Sequence, residues 1–394
     1  MKLLTCLGTG SYGQVTYTWG EKDAETCFFP LAISKWLKPK QIFVLLTDAA
    51  AQHKNWTNLK SSLPNAHSVC IPDGKNESEY WEIFQAISSC VEEGDEFVFD
   101  ITHGFRSIPL LAFLASAYLR SAKSMRLQHV LYGAYEARTS DQGKERAPVF
   151  DLAPFLTLLD WTYAARHFQS SGDARPLSGL IKTRDKDLWN RVDDPTQFQQ
   201  MPRSLASLAD SLNRLSQALL TVRQDEIPKA VQALDGAVEK ATDEVERWAS
   251  PFVLITKKIA QSYADFSSDS LQAQLKWVHW YADNGHILQA ISLAREWLVS
   301  LAQSRLPGKS DRQYTQDLLN KIVDKKKQKD ADKPTKDDTE LSKLMPIADI
   351  WDSIRALRND LAHCGFGRNP VSSDEAIAQI KKAINDLSSL THSQ

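Results

Sequence analysis

Three polar residues that could carry out acid–base chemistry lie close together in the stretch RNDLAH near the end of the chain. Arg358 and Asn359 are adjacent, and His363 follows within the same stretch. A histidine that titrates near neutral pH can act as a general acid or base, and an arginine beside it can stabilise negative charge that develops in a transition state. These residues suit metal-independent cleavage of RNA, which supplies its own nucleophile as the 2′-hydroxyl.

The spacing of this motif limits how its side chains can meet. Positions five apart on a helix of ~3.6 residues per turn are about 140° apart, so Arg358 and His363 share a face only where the helix distorts or ends. Gly365 and Gly367 predict that the helix ends at His363, with a glycine as its C-cap. Two such motifs that meet across a two-fold axis would make a more complete active site than one. The alternative is a surface arginine and a histidine favoured by the helix dipole.

A glycine-rich loop, GTGSYG at 8–13, follows the first apolar run and fits the pattern GxGxxG of dinucleotide sites. Two features argue against a dinucleotide. Residues 15–19 (VTYTW) are β-branched and aromatic, which predicts a strand or hairpin where that fold needs a helix. The first acid after a clear second strand is Asp48, which is too far along the chain. A tight turn without a ligand remains an alternative. We favour a loop whose backbone N–H groups approach the phosphates of another nucleotide. The candidate residues are Gly8, Thr9, Gly10 and Ser11.

A second polar loop, DITHGFR at 100–106, also follows an apolar strand. Thr102 offers a hydroxyl, Gly104 permits close approach of a backbone, and Arg106 can pair with a phosphate. His103 between them is either a ligand contact or a packed loop histidine. Two further candidates, Thr47 and Asp48, follow the strand predicted at 41–46.

The elements that position these loops predict two domains. Apolar runs at 2–7, 41–46, 69–71, 96–101 and 129–135 alternate with helical stretches at 80–91 and 108–121, which indicates a doubly wound α/β domain with a Rossmann-like parallel sheet. Ligands of such domains bind beyond the C-terminal ends of the strands. The expected boundaries are 1–154 for this domain, 155–204 for a helical linker and 205–394 for an all-α domain with a charged insert near 324–338.

The helical periodicity of the second half is strong, since apolar residues recur at the spacing of one helix face. The predicted helices are 155–168, 205–220, 227–248, 271–281, 287–302, 347–361 and 375–387. The charged run 324–338 is predicted to be a solvated loop. A basic lip beside an RNA groove is the alternative reading of its lysines.

Composition narrows the class of protein. The chain has 394 residues, 42% of them hydrophobic, and a net charge of -2, so any nucleic-acid site has to be a local basic patch. The five cysteines show no metal-ligand spacing, and no run approaches the ~20 apolar residues of a membrane span. We expect a cytoplasmic protein with free thiols, no membrane segment and no metal or other cofactor.

The motifs together resemble a known family. LGTGSY at 7–12, VLLTDAA at 44–50 and DITHGFRSIP at 100–109 resemble the CRISPR-associated DxTHG-motif proteins, whose N-terminal domain is of the CARF (CRISPR-associated Rossmann fold) type. GHILQAISLAREWLV at 285–299 and RNDLAH at 358–363 resemble the HEPN ribonuclease domain that accompanies it. The segment 165–285 and the charged insert carry no recognised motif.

The resemblance implies a function and a set of partners. It implies a homodimer whose CARF domains bind a cyclic oligoadenylate made by a type III CRISPR complex and whose HEPN domains then cleave single-stranded RNA. It favours cyclic tetra-adenylate as activator, with cyclic hexa-adenylate as the other ring size considered. Carried over by position, Gly8 to Ser11, Thr102, His103, Gly104 and Arg106 would bind the ligand, and Arg358, Asn359 and His363 would form the nuclease motif.

Two other functions stay open. The first is a nucleotide-sensing regulator whose helical domain binds RNA or a partner without cleavage, which a cleavage assay with a chelator present would distinguish. The second is a dinucleotide-dependent enzyme, against which the position of Asp48 argues.

Overall fold

The computed structural model describes residues 1–104, 107–141, 143–190, 201–248, 253–306, 311–327, 338–366 and 371–391. The chain divides into two compact units, 1–160 and 161–394. No helix within the described ranges is long and apolar enough to cross a membrane.

The first unit is built on a mixed sheet with a parallel centre. Its strands are β1 Lys2–Cys6, β2 Val15–Trp19, β3 Lys22–Thr26, β4 Gln41–Leu46, β5 Ala66–Cys70, β6 Glu96–Asp100, β7 Arg126–Gly133, β8 Thr139–Asp141 and β9 Lys144–Asp151. They are ordered β3-β2-β9-β7-β6-β1-β4-β5, with β8 beside β9. Strands β5, β4, β1, β6 and β7 are parallel, whereas β9 is antiparallel to β7. The prediction of a Rossmann-like α/β domain is confirmed.

Helices cover both faces of this sheet because its central strands are apolar on both sides. Leu3 and Val98 pack into one core, and Leu4, Phe97 and Phe99 pack into the other. The helices of this unit are α1 Phe29–Leu37, α2 Asp48–Ala51, α3 Lys54–Ser62, α4 Glu77–Ser89 and α5 Ser107–Ala122. Helix α6, Ala153–Ser171, begins in this unit and ends in the second one.

The chain after the glycine loop forms a hairpin instead of a helix. Strands β2 and β3 pair in antiparallel fashion, with Val15 opposite Thr26 and Trp19 opposite Lys22. The strand-or-hairpin prediction for 15–19 is therefore confirmed, and the helix that a dinucleotide loop requires is replaced here by a strand.

The second unit is helical throughout its described residues. Its helices after α6 are α7 Arg175–Trp189, α8 Leu205–Leu220, α9 Ile227–Trp248, α10 Val253–Tyr263, α11 Leu271–Asp283, α12 Ile287–Arg305, α13 Arg312–Lys327, α14 Asp338–Ala362 and α15 Ser373–Ser389. Its core contains the fully buried indoles of Trp277, Trp297 and Trp351. The all-α prediction for the C-terminal part is confirmed. Within 155–204, the segment expected to be a linker, Phe168 and Leu177 pack into this same core.

The loop prediction for the charged insert was wrong at its beginning. Residues 324–327 continue α13, where the Lys326 ammonium pairs with Asp349 and the Lys327 ammonium lies 2.7 Å from Asp352 of α14. Lysines in the last turn of a helix also interact favourably with its dipole, which explains why the helix extends into the charged run. Residues 328–337 of the insert lie outside the described residues.

Candidate functional site

Two predicted loops meet at one point on the sheet edge. Strand β1 lies between β4 and β6. Strands β4 and β5 extend the sheet on one side of β1, and β6 and β7 extend it on the other side. The loops that follow β1 and β6 therefore leave adjacent strand ends at the position where strand order reverses. In open α/β sheets this position is a crevice that binds ligands.

A buried carboxylate connects the strands beneath this crevice. Asp100, at the end of β6, accepts a hydrogen bond from the Thr5 hydroxyl of β1 at 2.6 Å and from the Thr102 amide at 2.9 Å. The Thr102 hydroxyl in turn accepts from the Gly133 amide of β7 at 2.8 Å. Burial raises the pKa of Asp100 to about 6, against the lowering effect of the bonds from Thr5 and Thr102. This chain of bonds fixes the loop at Thr102 to three neighbouring strands.

His103 is held in the neutral state by its surroundings. Its Nε2 atom accepts a hydrogen bond from the Phe29 amide, the first N–H of α1, at 3.2 Å, so Nε2 carries no proton. Burial lowers the pKa of His103 to about 4. His103 can therefore offer the N–H of Nδ1 to a ligand, but it supplies no positive charge at neutral pH.

The glycine loop is held by side chains that the sequence analysis did not select. The Gly8 amide donates to the Tyr12 hydroxyl at 3.0 Å. The Asn55 side-chain amide, on α3, donates to the carbonyl of Gly8 at 3.0 Å and to that of Gly10 at 2.9 Å. Asn55 is only 6% exposed, which is unusual for asparagine and is explained by these two bonds. Tyr12 lay within the quoted loop motif, whereas no local pattern pointed to Asn55.

Two cavities lie on either side of His103. The larger, about 600 Å³, has Gly8 and Thr9 of the glycine loop, Thr47, His103 and Gly104 among its lining residues. The smaller, about 190 Å³, is lined by these residues: Ser11, Tyr12, Gly13, Tyr17, Cys27, Thr102, His103, Gly133, Tyr135 and Glu136. Most of the predicted ligand residues therefore line one or the other of two cavities that share His103.

Some predicted ligand residues are placed differently. The Thr47 hydroxyl caps α2 by accepting from the Ala50 amide at 3.3 Å, and the Asp48 carboxylate accepts from the Cys70 thiol at 3.4 Å. Gly10 and Asp48 do not line either of the two cavities. Arg106, the predicted phosphate partner, lies outside the described residues.

The candidate nuclease motif lies at the end of α14 in the second unit. Arg358 is half-buried and its guanidinium is 3.4 Å from the side-chain oxygen of Asn359, which is exposed. His363 is exposed and follows the last helical residue, Ala362. Although α14 ends at Ala362, the His363 amide still donates to the Asn359 carbonyl at 3.0 Å, the bond of a continuing helical turn. The helical separation of about 140° between Arg358 and His363 is therefore kept, and the two side chains do not share a face within one chain.

The predicted glycine C-cap was wrong in one detail. The Cys364 amide donates to the Leu361 carbonyl at 3.1 Å and the Gly365 amide donates to the Asp360 carbonyl at 3.0 Å, which is the hydrogen-bond pattern of a Schellman motif. The residue in the left-handed position is Cys364, with φ of 55°. Glycine takes φ of 72° one residue later, at Gly365. The two amide bonds hold Cys364 in this conformation despite its side chain.

Comparisons with known proteins identify both parts of the chain. Residues 2–136 match the model of the CARF domain of the CRISPR system endoribonuclease Csx1. Residues 157–270 match the model of the second domain of the CRISPR-associated protein MJ1674. CRISPR-associated protein MJ1674 of Methanocaldococcus jannaschii is 32% identical over 147 residues, which cover 36% of this chain and 23% of that protein. The segment 165–285, where the sequence analysis found no motif, thus falls largely within a recognised domain.

The fold, the sheet-edge crevice and the first match define the N-terminal unit as a CARF domain. The two matches and this relative support a CARF-containing, CRISPR-associated accessory family for the chain. The match to the second-domain model ends before α14, so Arg358, Asn359 and His363 lie outside the residues that it covers.

The two buried groups of the crevice should give opposite pH dependences of stability. The raised pKa of Asp100 contributes stability below about pH 4 that is lost as the pH rises through about 6. The lowered pKa of His103 contributes stability above about pH 6.5 that is lost as the pH falls through about 4. In Asp100→Asn, the free energy of unfolding of the α/β unit should rise more steeply between pH 4 and 6 than in wild type, by on the order of 2–3 kcal/mol.

Denaturant titrations at half-unit pH steps measure this difference. The matched variant His103→Gln keeps an acceptor for the Phe29 amide. In this variant the free energy of unfolding should rise less between pH 4 and 6 than in wild type. Curves that run parallel to wild type for both variants would contradict the assignment of these two groups.

The helix end of α14 gives a second prediction. Cys364→Gly should raise the free energy of unfolding of the helical unit by about 0.5–1 kcal/mol, because glycine adopts φ of 55° without a steric penalty. Cys364→Ala, which keeps the penalty, serves as the control and should leave stability within ~0.5 kcal/mol of wild type. A lower stability for the glycine variant would show that the cap is not strained at this position.

Proposed function

We propose that this protein is an endoribonuclease of type III CRISPR defence that is activated by a cyclic oligoadenylate and cleaves RNA without a metal ion. The observation that carries the proposal is the combination, in one chain, of a unit that matches the Csx1 CARF domain with a helical unit that carries Arg358, Asn359 and His363 at a helix end. Csx1, whose CARF domain the first unit resembles, is an endoribonuclease, and this supports the reaction class.

The cleavage mechanism follows from the chemistry of the three side chains. RNA is cut when its 2′-hydroxyl loses its proton, the 2′-oxygen bonds to the adjacent phosphorus, and the bond from phosphorus to the 5′-oxygen breaks as that oxygen gains a proton. His363, exposed at the helix end, accepts the proton of the 2′-hydroxyl and supplies the proton to the 5′-oxygen, and Arg358 stabilises the negative charge of the phosphorane. Asn359 accepts from Arg358 and orients its guanidinium. We assign the HEPN type to this unit on the same grounds.

The ligand site follows from the sheet-edge crevice. The larger cavity is lined by Gly8 and Thr9 of the glycine loop, by Lys75 and by Ser107 at the N-terminus of α5. Backbone N–H groups, a helix N-terminus and a lysine ammonium can all bind phosphate. Lys75 is 2.6 Å from Asp73, so an anionic ligand would share that cation with the carboxylate. We assign Arg106 to the same phosphates. Cyclic tetra-adenylate is the favoured ring size and cyclic hexa-adenylate is the alternative.

A homodimer is part of the proposal because one motif offers a single histidine and a single arginine. A cyclic ligand with two-fold symmetry also calls for a two-fold symmetric pocket. Helix α5 carries an apolar stripe in which Leu110 is 64%, Leu114 53% and Tyr118 56% exposed. The ring centroid of Phe84, on α4, lies 5.3 Å from that of Tyr118 and 5.9 Å from that of Trp81. Trp81 is 59% exposed and extends the apolar surface. Apolar surfaces of this kind mark protein interfaces.

The catalytic assignment predicts a clean separation of cutting from sensing. His363→Ala should lower the activated cleavage rate by ~10²–10⁴ while the dissociation constant of the activator changes little. Products should carry a 2′,3′-cyclic phosphate and a 5′-hydroxyl, and RNA with a 2′-deoxy group at the cleaved position should stay intact. EDTA should not inhibit. Activity without activator should be low but measurable, since the ligand shifts an existing equilibrium.

Cleavage assays with end-group analysis test these statements, and Cys364→Ala serves as the matched control beside the histidine. Products with a 5′-phosphate formed only with added divalent metal would remove the proposed roles of Arg358 and His363. Binding of the activator without any cleavage would favour the alternative function, a nucleotide-sensing regulator.

The apolar stripe predicts the interface of the dimer. Leu114→Glu places a charge at the middle of the stripe and should shift the protein from dimer to monomer at micromolar concentration, with loss of activated cleavage. Sedimentation velocity measures the change. Lys54→Glu, at an exposed position of α3, is the control and should remain dimeric. A wild-type protein that is strictly monomeric and still cleaves RNA would contradict the dimer.

A further inference from the structure

The Gly8 amide, which a bound phosphate would need, already has a partner within the chain. Its N–H donates to the Tyr12 hydroxyl at 3.0 Å. A Cβ atom at Gly8 would lie 3.2 Å from that same hydroxyl oxygen, which shows how closely the two groups approach. Gly8 lines the larger cavity, and Tyr12 lines the smaller one. The Tyr12 hydroxyl thus occupies the acceptor position that the loop presents to a ligand.

The backbone around this amide is held on both sides. The Leu7 amide donates to the Leu45 carbonyl at 3.3 Å, and the Asn55 side chain holds the carbonyls of Gly8 and Gly10. These bonds fix the peptide groups on both sides of the one that carries the Gly8 N–H, which favours its present direction. A ligand oxygen gains this N–H only when the Tyr12 hydroxyl moves away.

The Tyr12 ring lines the smaller cavity and packs against two neighbouring rings. Its centroid lies 4.2 Å from that of the His103 imidazole, and it meets the Phe28 ring edge-on at 6.0 Å. His103 lines both cavities.

We propose that Tyr12 is an autoinhibitory gate whose hydroxyl competes with a phosphate oxygen of the activator for the Gly8 amide. The inference rests on the proposed function and concerns the regulation of the same site. A phosphate oxygen is a stronger acceptor than a phenol because its hydrogen bond is charge-assisted, so the ligand displaces Tyr12. Breaking the resting bond lowers the affinity, which keeps the protein unresponsive to weak or short phosphate ligands.

Tyr12→Phe tests the gate with the smallest change in structure. The ring and its contacts with His103 and Phe28 stay, while the competing acceptor is lost and the Gly8 amide is left without a partner. The dissociation constant for cyclic tetra-adenylate should fall about 2- to 12-fold, the value of one ordinary hydrogen bond. Tyr314→Phe, which removes an exposed hydroxyl from α13, is the matched control and should bind as wild type does.

A second readout separates this inference from the identity of the activator. In protein labelled with ¹⁵N-glycine, the Gly8 amide resonance is followed during titration with inorganic phosphate. The gate requires a lower half-saturation concentration in Tyr12→Phe than in wild type. This result, together with no binding of any cyclic oligoadenylate to either protein, would overturn the proposed activator and leave the gate supported. Equal or weaker phosphate binding by Tyr12→Phe would overturn the gate.

Discussion

The buried carboxylate of Asp100 is the interaction on which the geometry of the crevice depends. It joins β1 through Thr5 and holds the loop after β6 through the Thr102 amide, and Thr102 extends the chain of bonds to Gly133 of β7. A carboxylate pays a desolvation cost in this position, which appears as its raised pKa. The cost is partly offset because two donors reach it. Removing one donor would leave a buried acceptor unsatisfied and release the loop.

The same edge of the sheet satisfies its polar groups internally. His103 accepts from the first amide of α1, Tyr12 accepts from Gly8, and Asn55 holds two loop carbonyls. Buried backbone groups need hydrogen-bond partners, and at this edge side chains supply several of them. Binding at this edge therefore exchanges bonds within the protein for bonds to the ligand. Affinity and selectivity then depend on how strong the replaced bonds are, which is why a neutral His103 and a neutral phenol at Tyr12 matter.

The sequence predicted the fold better than it predicted the contacts. Strands β1, β4 and β6 were found because each is largely apolar and bounded by polar loops, and the hairpin at 15–19 because its residues are β-branched and aromatic. Strands β5 and β7 each begin three residues before the predicted starts at 69 and 129, because polar residues interrupt their first halves. The roles of Asn55 and Thr5 could not be found this way. Asn55 reaches the glycine loop from α3 and Thr5 reaches Asp100 across the sheet, and such pairings arise from tertiary packing. The left-handed residue at the end of α14 was missed for a related reason, since local preference favours glycine and the cap bonds hold Cys364 there.

The two candidate sites lie in separate units. Coupling between them would therefore depend on the free-energy difference between alternative conformations of the protein. A ligand at the CARF edge changes nuclease activity only to the extent that it binds one arrangement of the protein more tightly than another. Helix α6 connects the units covalently, and its start is fixed to the sheet because the Asp151 carboxylate accepts from the amides of Val130 at 3.1 Å and Ala153 at 3.0 Å. The His129 imidazole is 2.6 Å from the same carboxylate. A change at the end of β7 is thus connected by hydrogen bonds to the first residue of the helix that enters the second unit, and Gly133 of β7 also bonds to the Thr102 loop. These bonds and the backbone of β7 connect the Thr102 loop with the start of α6 inside the first unit.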